Sequence, residues 1–105
     1  MGARPKLPRP AEATLRLASL VADEALRWPE VSGRPMFGMR ALYRGKAIFA
    51  LLPDKRALGS ATAIACKVAG GNPQWRLWEL ETEEQIGGAL VLLERAYGRA
   101  GRAGR

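Results

Sequence analysis

Ala41-Leu42-Tyr43-Arg44-Gly45-Lys46-Ala47-Ile48-Phe49-Ala50-Leu51-Leu52 is the stretch that decides the fold. Gly45 can adopt a positive φ without steric cost, so Tyr43-Arg44-Gly45-Lys46 reads as a tight turn. The segments on either side, 35–43 and 46–52, then form the two strands of a β-hairpin. Ala47 to Leu52 is apolar without interruption, the pattern of a strand covered on both faces. Pro53-Asp54-Lys55-Arg56 follows as a loop.

Working outward from the hairpin, residues 11–28 carry a helical pattern. Leu17, Leu20, Val21, Ala25 and Trp28 fall on one face, and Leu15, Ala18, Ala22 and Leu26 widen it. Pro10 suits the start of that helix and Pro29 its end. On the other side, residues 61–68 send two signals. Ser60 and Gly70 would bracket a helix, whereas the β-branched Thr62, Ile64 and Val68 favour a strand. Strand is the expectation. Gly70-Gly71-Asn72-Pro73 reads as a turn and Trp75 to Leu80 as a further strand. Thr82-Glu83-Glu84-Gln85 then opens a helix. Thr82 is an N-cap, Gln85 stands three residues on, and two acids sit at the positive end of the dipole. Ile86, Ala89, Leu90, Leu93 and Tyr97 line one face of it. Gly87 and Gly88 cost this helix about 1 kcal/mol each relative to Ala, so close backbone packing on the sheet is expected there.

The element order of helix, four strands and helix predicts an α+β fold: an antiparallel sheet of four or more strands, packed by N- and C-terminal helices, in a single domain over residues 11–97. A chain of 105 residues fits one such core. Residues 1–10 hold three prolines and little to bury, and read as a flexible basic tail. Residues 98–105, Gly-Arg-Ala-Gly-Arg-Ala-Gly-Arg, read as a flexible low-complexity Gly/Arg tail.

The net charge of +7 is unevenly spread. Arg4, Lys6, Arg9, Arg99, Arg102 and Arg105 put six positive charges in the tails, with no acid among them. Residues 34–56 add +5 through Arg34, Arg40, Arg44, Lys46, Lys55 and Arg56 against Asp54, while residues 77–98 carry −4. The chain is therefore polarised rather than uniformly basic. The six cations on and beside the hairpin could grip phosphates, since a β-ribbon can enter a groove. They read equally as a solvated edge that discourages strand-to-strand aggregation. The tail arginines could add nonspecific phosphate contacts or serve solubility.

Histidine is absent. That removes Ser-His-Asp and Cys-His nucleophiles and His-based zinc sites. One cysteine, Cys66, is too few for a thiolate cage, and between Ile64, Ala65 and Val68 it reads as a small buried hydrophobe. Gly33-Arg34-Pro35-Met36-Phe37-Gly38 lacks the Gly-Lys-Ser/Thr ending of a phosphate loop. It reads as a strand lead-in where Gly38 permits close approach. No carboxylate pair suits metal or glycosidic chemistry. The expectation is no catalytic residue, no cofactor and no metal. Of the aromatic residues that could stack on bases, Trp75, Trp78, Phe37 and Phe49 are expected mostly in the core, which leaves Tyr43 at the turn as the surface contact.

No apolar run approaches the roughly 20 residues of a membrane helix, and the basic N-terminus lacks the apolar stretch of a secretory signal. A lone cysteine fits the reducing cytoplasm.

Arg34-Pro35-Met36-Phe37-Gly38-Met39, Leu42-Tyr43-Arg44-Gly45-Lys46 and Ile48-Phe49-Ala50-Leu51 resemble the opening of the TfoX N-terminal domain family. Trp78-Glu79-Leu80 and the helix reaching Ala96-Tyr97 are similar to that family and to the related MmcQ/YjbR-like proteins. The resemblance spans roughly residues 13–97. It implies an antiparallel α+β domain and an association with bacterial competence regulation and DNA binding, and it brings no catalytic set. The expectation is a regulatory module that binds DNA or RNA through Arg34, Arg40, Tyr43, Arg44, Lys46, Lys55 and Arg56. The alternative is a domain that contacts another protein or a second copy of itself. A small-ligand-binding domain comes last.

Overall fold

The computed structural model describes residues 7–68 and 75–103. Helix α1 (Glu12–Ala25) is followed by strands β1 (Val31–Met36), β2 (Met39–Arg44), β3 (Ala47–Pro53), β4 (Ala63–Lys67) and β5 (Trp75–Glu79). A short 3-10 turn (Glu83–Gln85) leads into helix α2 (Ile86–Ala103). The five strands form one antiparallel meander in the order β1-β2-β3-β4-β5. The expected architecture holds, with one strand more than the four read from the pattern. No helix among the described residues is long and apolar enough to cross a membrane.

The extra strand arises where a single strand over 35–43 was expected. The chain instead reverses at Phe37 and Gly38, and Met36 pairs with Met39. Both loop residues have positive φ, 53° and 78°, the signature of a two-residue type I′ hairpin turn. Gly38 supplies that conformation freely; Phe37 adopts it at a steric cost. Asn or Asp is the usual partner of Gly in such turns, so the phenylalanine concealed the turn.

Both helices lie on one face of the sheet. Leu42, Ala50 and Cys66 are register partners on β2, β3 and β4. They pack with Leu17, Val21 and Ala25 of α1 and with Ala89, Leu93 and Ala96 of α2. The register slips between Leu42 and Tyr43, so Tyr43 pairs with Ile48 and Leu42 with Ala50. Phe49 is the extra residue, and this bulge puts its ring into the helix-side core beside Ala50. The opposite face carries a smaller cluster of Met39, Ala41, Leu51 and Ala65, with Leu7, Leu58, Tyr43, Ile48 and Trp75 packed around it. Between two covered faces, β3 is buried from Phe49 to Pro53, as its unbroken apolar run required.

Within the stretch 61–68, Ala63–Lys67 form strand β4, and within 75–80, Trp75–Glu79 form β5. The expected turn over 70–73 lies outside the described residues. Helix α1 stops at Ala25, three residues short of expectation. Arg27 and Trp28 turn back with N–H donations to Glu24 and Ala25 carbonyls at 3.1 Å each. At the start of α2, the Gln85 side chain accepts the Thr82 backbone N–H at 3.1 Å. Trp78 Nε1 donates to the Gln85 carbonyl at 3.0 Å, and a Cβ on Gly88 would overlap that indole ring. The close approach expected of the two glycines is therefore made by Gly88; nothing lies near Gly87.

Two expectations about the ends need correction. The Gly/Arg segment read as a flexible tail from residue 98 continues α2 as far as Ala103. Ala100 is buried there, and Arg44 fills the space beside Gly101 that a Cβ would need. Packing thus offsets the poor helix propensity of two glycines. At the other end, residues 7–10 of the supposed tail are docked. Pro8 accepts the Ala57 N–H at 3.0 Å, and Leu7 packs on the smaller apolar cluster.

Candidate functional site

The seven residues expected to form one basic surface are dispersed by the sheet. Strand β2 spans about 17 Å from Met39 to Arg44 at 3.4 Å per residue, so its two ends form separate surfaces.

At the far end, Arg44 is committed to the fold. Its Nε lies 3.4 Å from Glu30 Oε1, and its Nη1 donates to the Tyr97 carbonyl at 3.1 Å. Its guanidinium carbon sits 4.0 Å from the Tyr97 ring centroid. Tyr97 in turn donates its hydroxyl to the Pro29 carbonyl at 2.9 Å and packs against Trp28 and Phe49 at centroid distances of 5.2 and 5.8 Å. Arg44 therefore joins α2, β2 and the α1–β1 connection, with its Nε and Nη1 both engaged within the fold. Lys46, in the adjoining turn, is exposed.

Arg34 and Tyr43 lie on the sheet face without helices, where the Arg34 guanidinium carbon is 5.5 Å from the Tyr43 ring centroid. Arg40 pairs with Leu52 and so points to the other face. It lines a cleft of about 390 Å³ with Leu26, Pro35 and Asp54. Asp54 and Arg34 share that lining, which leaves the cleft with one net positive charge.

At the near end, Lys55 and Arg56 are brought beside the β1–β2 turn. Both backbone N–H groups donate to the Gly38 carbonyl, at 2.7 and 2.8 Å. This uses the backbone of the loop and leaves both side chains available. Together with Arg9 they line an open concavity of about 600 Å³ around Phe37 and Gly38, with no acid in its lining. The two ion pairs among the described residues are Arg27–Glu24 and Arg44–Glu30, so none of these three cations has a carboxylate partner there. Phe37 is 76% exposed, the most exposed large apolar side chain among the described residues.

Phe37 and Arg9 are the functional candidates that sequence reasoning missed. Phe37 was assigned to the core because aromatics normally belong there, and Arg9 to a flexible tail. The available signal was Phe-Gly between two short apolar-alternating runs. Cys66, in contrast, is as expected: burial pushes its thiol up to about 12, so it stays protonated and unreactive near neutral pH. Among the described residues no group of three or more His, Cys, Asp or Glu could hold a metal.

What this end of the molecule can do chemically is hold an anion on its cations while the exposed ring offers its face to an apolar or aromatic group. Three long cations line the same concavity as a ring with both hydrophobic area and a π surface, on a turn fixed by two backbone hydrogen bonds. Comparison with family models, with curated proteins and with solved structures gives no match to this chain.

Proposed function

We propose that the chain is a nucleic-acid-associated regulatory module whose contact surface is the β1–β2 turn with its flanking cations. The observation that carries this reading is Phe37. A bulky side chain held at φ 53° and left exposed contributes strain without core burial, and strain of this kind concentrates at binding sites. Arg9, Lys55 and Arg56 supply the phosphate contacts and Phe37 the base contact, the combination used by proteins that bind nucleic acid without sequence preference. The resemblance of the sequence over residues 34–51 to the TfoX N-terminal domain family supports the same role. That role places the chain in the cytoplasm, without a catalytic function. Arg34 is assigned to the periphery of the surface, and Arg44 and Lys46, at the opposite end of β2, are removed from it.

The test is fluorescence anisotropy of a labelled oligonucleotide across a salt series. Lys55→Ala with Arg56→Ala should weaken binding, and lower the slope of log affinity against log salt by about 0.7–0.9 for each phosphate that is no longer neutralised. Lys46→Ala, at the opposite end, should leave the slope nearly unchanged. Equal effects at both ends would mean that only net charge matters, and would sink the proposal.

Self-association is the second reading, favoured by the sheet face that no helix covers. Tyr43, Ile48 and Trp75 are half-buried there and Leu77 is 43% exposed. A mass that rises with concentration in sedimentation equilibrium, in the absence of nucleic acid, would move the assignment to this reading.

A further inference from the structure

We infer that the Phe37 site takes an unpaired base, and that the ligand is single-stranded nucleic acid rather than duplex. This rests on the reading of the chain as a nucleic-acid-binding module and specifies the form it binds.

The argument starts from what a lone aromatic ring can reach. In a duplex the base faces are covered by their neighbours, so a ring gains a base face only by wedging the stack open. Proteins that wedge a duplex recover that cost by wrapping bent DNA around a broad basic surface. The described residues offer nothing of that breadth at the Phe37 end. Its cations there are Arg9, Lys55 and Arg56, all in one concavity. The neighbouring cleft sets Asp54 beside Arg34 and Arg40, and the chain from the last residue of β5 onward is acidic, with Glu79, Glu81, Glu83 and Glu84 all exposed. Three phosphate contacts in one concavity with a ring suit a short run of backbone with one base turned in. They do not suit a kinked helix. An unpaired base has already lost its neighbours, so the stack on Phe37 is gained without opening anything.

The geometry of the turn supports presentation rather than insertion. Gly38 is packed against Arg56, whose Cγ would lie 2.8 Å from an added Cβ, and its carbonyl is held by two N–H groups of the 54–56 loop. The backbone that carries Phe37, Lys55 and Arg56 is thereby fixed in one arrangement, which lowers the ordering cost of binding. The ligand chemistry is an unpaired base followed by phosphodiester, which single-stranded DNA and RNA share.

The experiment uses the full chain and three labelled probes at one salt concentration: oligothymidylate and oligouridylate of about ten nucleotides, and a duplex of equal length. The expected result is single-strand affinity about tenfold or more above duplex. Phe37→Ala should lower single-strand affinity about tenfold and leave duplex affinity unchanged, while Phe37→Tyr should retain single-strand binding. Because Phe37 lies outside the core, circular dichroism should report an intact fold for both variants. The ratio of the thymidylate to the uridylate affinity reports the combined preference for deoxyribose and the 5-methyl group over ribose and uracil, and preference for either strand over duplex supports the inference. Equal affinity for duplex and single strand overturns it, as does a Phe37→Ala variant with undiminished single-strand binding. If Lys55→Ala with Arg56→Ala still weakens binding in that case, the basic surface stands and only the unpaired-base assignment falls. No binding to any probe removes both.

Discussion

The two ends of strand β2 carry the same kinds of residue in opposite roles. At one end Arg44 is bonded through its side chain, to Glu30 and to Tyr97. At the other, Lys55 and Arg56 are bonded through their backbone, to Gly38, and their side chains remain uncommitted. An aromatic residue accompanies each. Tyr97 is packed between Trp28, Phe49 and Arg44, whereas Phe37 stands in solvent. The difference teaches that a cation becomes a candidate contact only when the fold holds its backbone and leaves its head group free. Charge counted along the sequence does not separate the two cases.

The largest effect expected from this comparison is on stability at the Arg44 end. Arg44→Ala removes an ion pair, a hydrogen bond to a backbone carbonyl and a contact with an aromatic face in one step. The expected loss is about 2 kcal/mol, read as a lower denaturation midpoint at unchanged slope. Nucleic-acid binding by the folded variant should fall by no more than the loss of one distant charge allows. A variant of wild-type stability and impaired binding would reverse the assignment of the two ends.

The turn glycines give the next test, because each end has one. Gly38 has φ 78°, and an added Cβ would press on Arg56 Cγ at 2.8 Å. Gly45 has φ 61°, with nothing within 4 Å of that position. Gly45→Ala therefore incurs only the left-handed backbone cost, about 1 kcal/mol, and should leave binding intact. Gly38→Ala adds displacement of the Lys55–Arg56 loop. It should cost somewhat more, about 1.5 kcal/mol, and weaken binding as well. Identical behaviour of the two alanine variants would show that the 54–56 loop is not held by the turn.

The fold was legible wherever a pattern repeats. The spacing of Leu17, Val21 and Ala25 marked α1, and the unbroken run from Ala47 to Leu52 marked the central strand. Trp75 to Leu80 marked the last strand. Illegible features were those set by contacts between distant residues. Glu30 and Tyr97 lie 14 and 53 positions from Arg44, and no local rule could reveal that they would occupy it. The helical course of residues 98–103 depends on Arg44 in the same way, since two glycines argue against helix until a packing partner is known. Of the seven residues expected at the site, Lys55 and Arg56 are the two that join the Phe37 end. Arg9 and Phe37 were hidden for different reasons, one in a proline-rich segment taken for a tail and the other in a turn that phenylalanine seldom occupies.

The smallest effect, and the one that separates the two ends most sharply, is expected at Phe37 itself. Asn is a favoured residue at the first position of a type I′ turn, since its short side chain tolerates positive φ. Phe37→Asn should therefore relieve strain and raise stability, by about 0.5–1 kcal/mol, with a higher midpoint in denaturant. The core keeps its packing, because the ring is exposed. The same substitution should lower affinity for single strands about as much as Phe37→Ala does. A gain in stability with a loss in binding is what a residue retained for contact, against the preference of its own backbone, must show. At Tyr97 the same logic predicts the opposite pairing: Tyr97→Phe, which deletes the bond to the Pro29 carbonyl, should lose stability and leave binding untouched. If Phe37→Asn instead destabilises the protein, the ring is packing against something in solution, and the Phe37 end is structural as well.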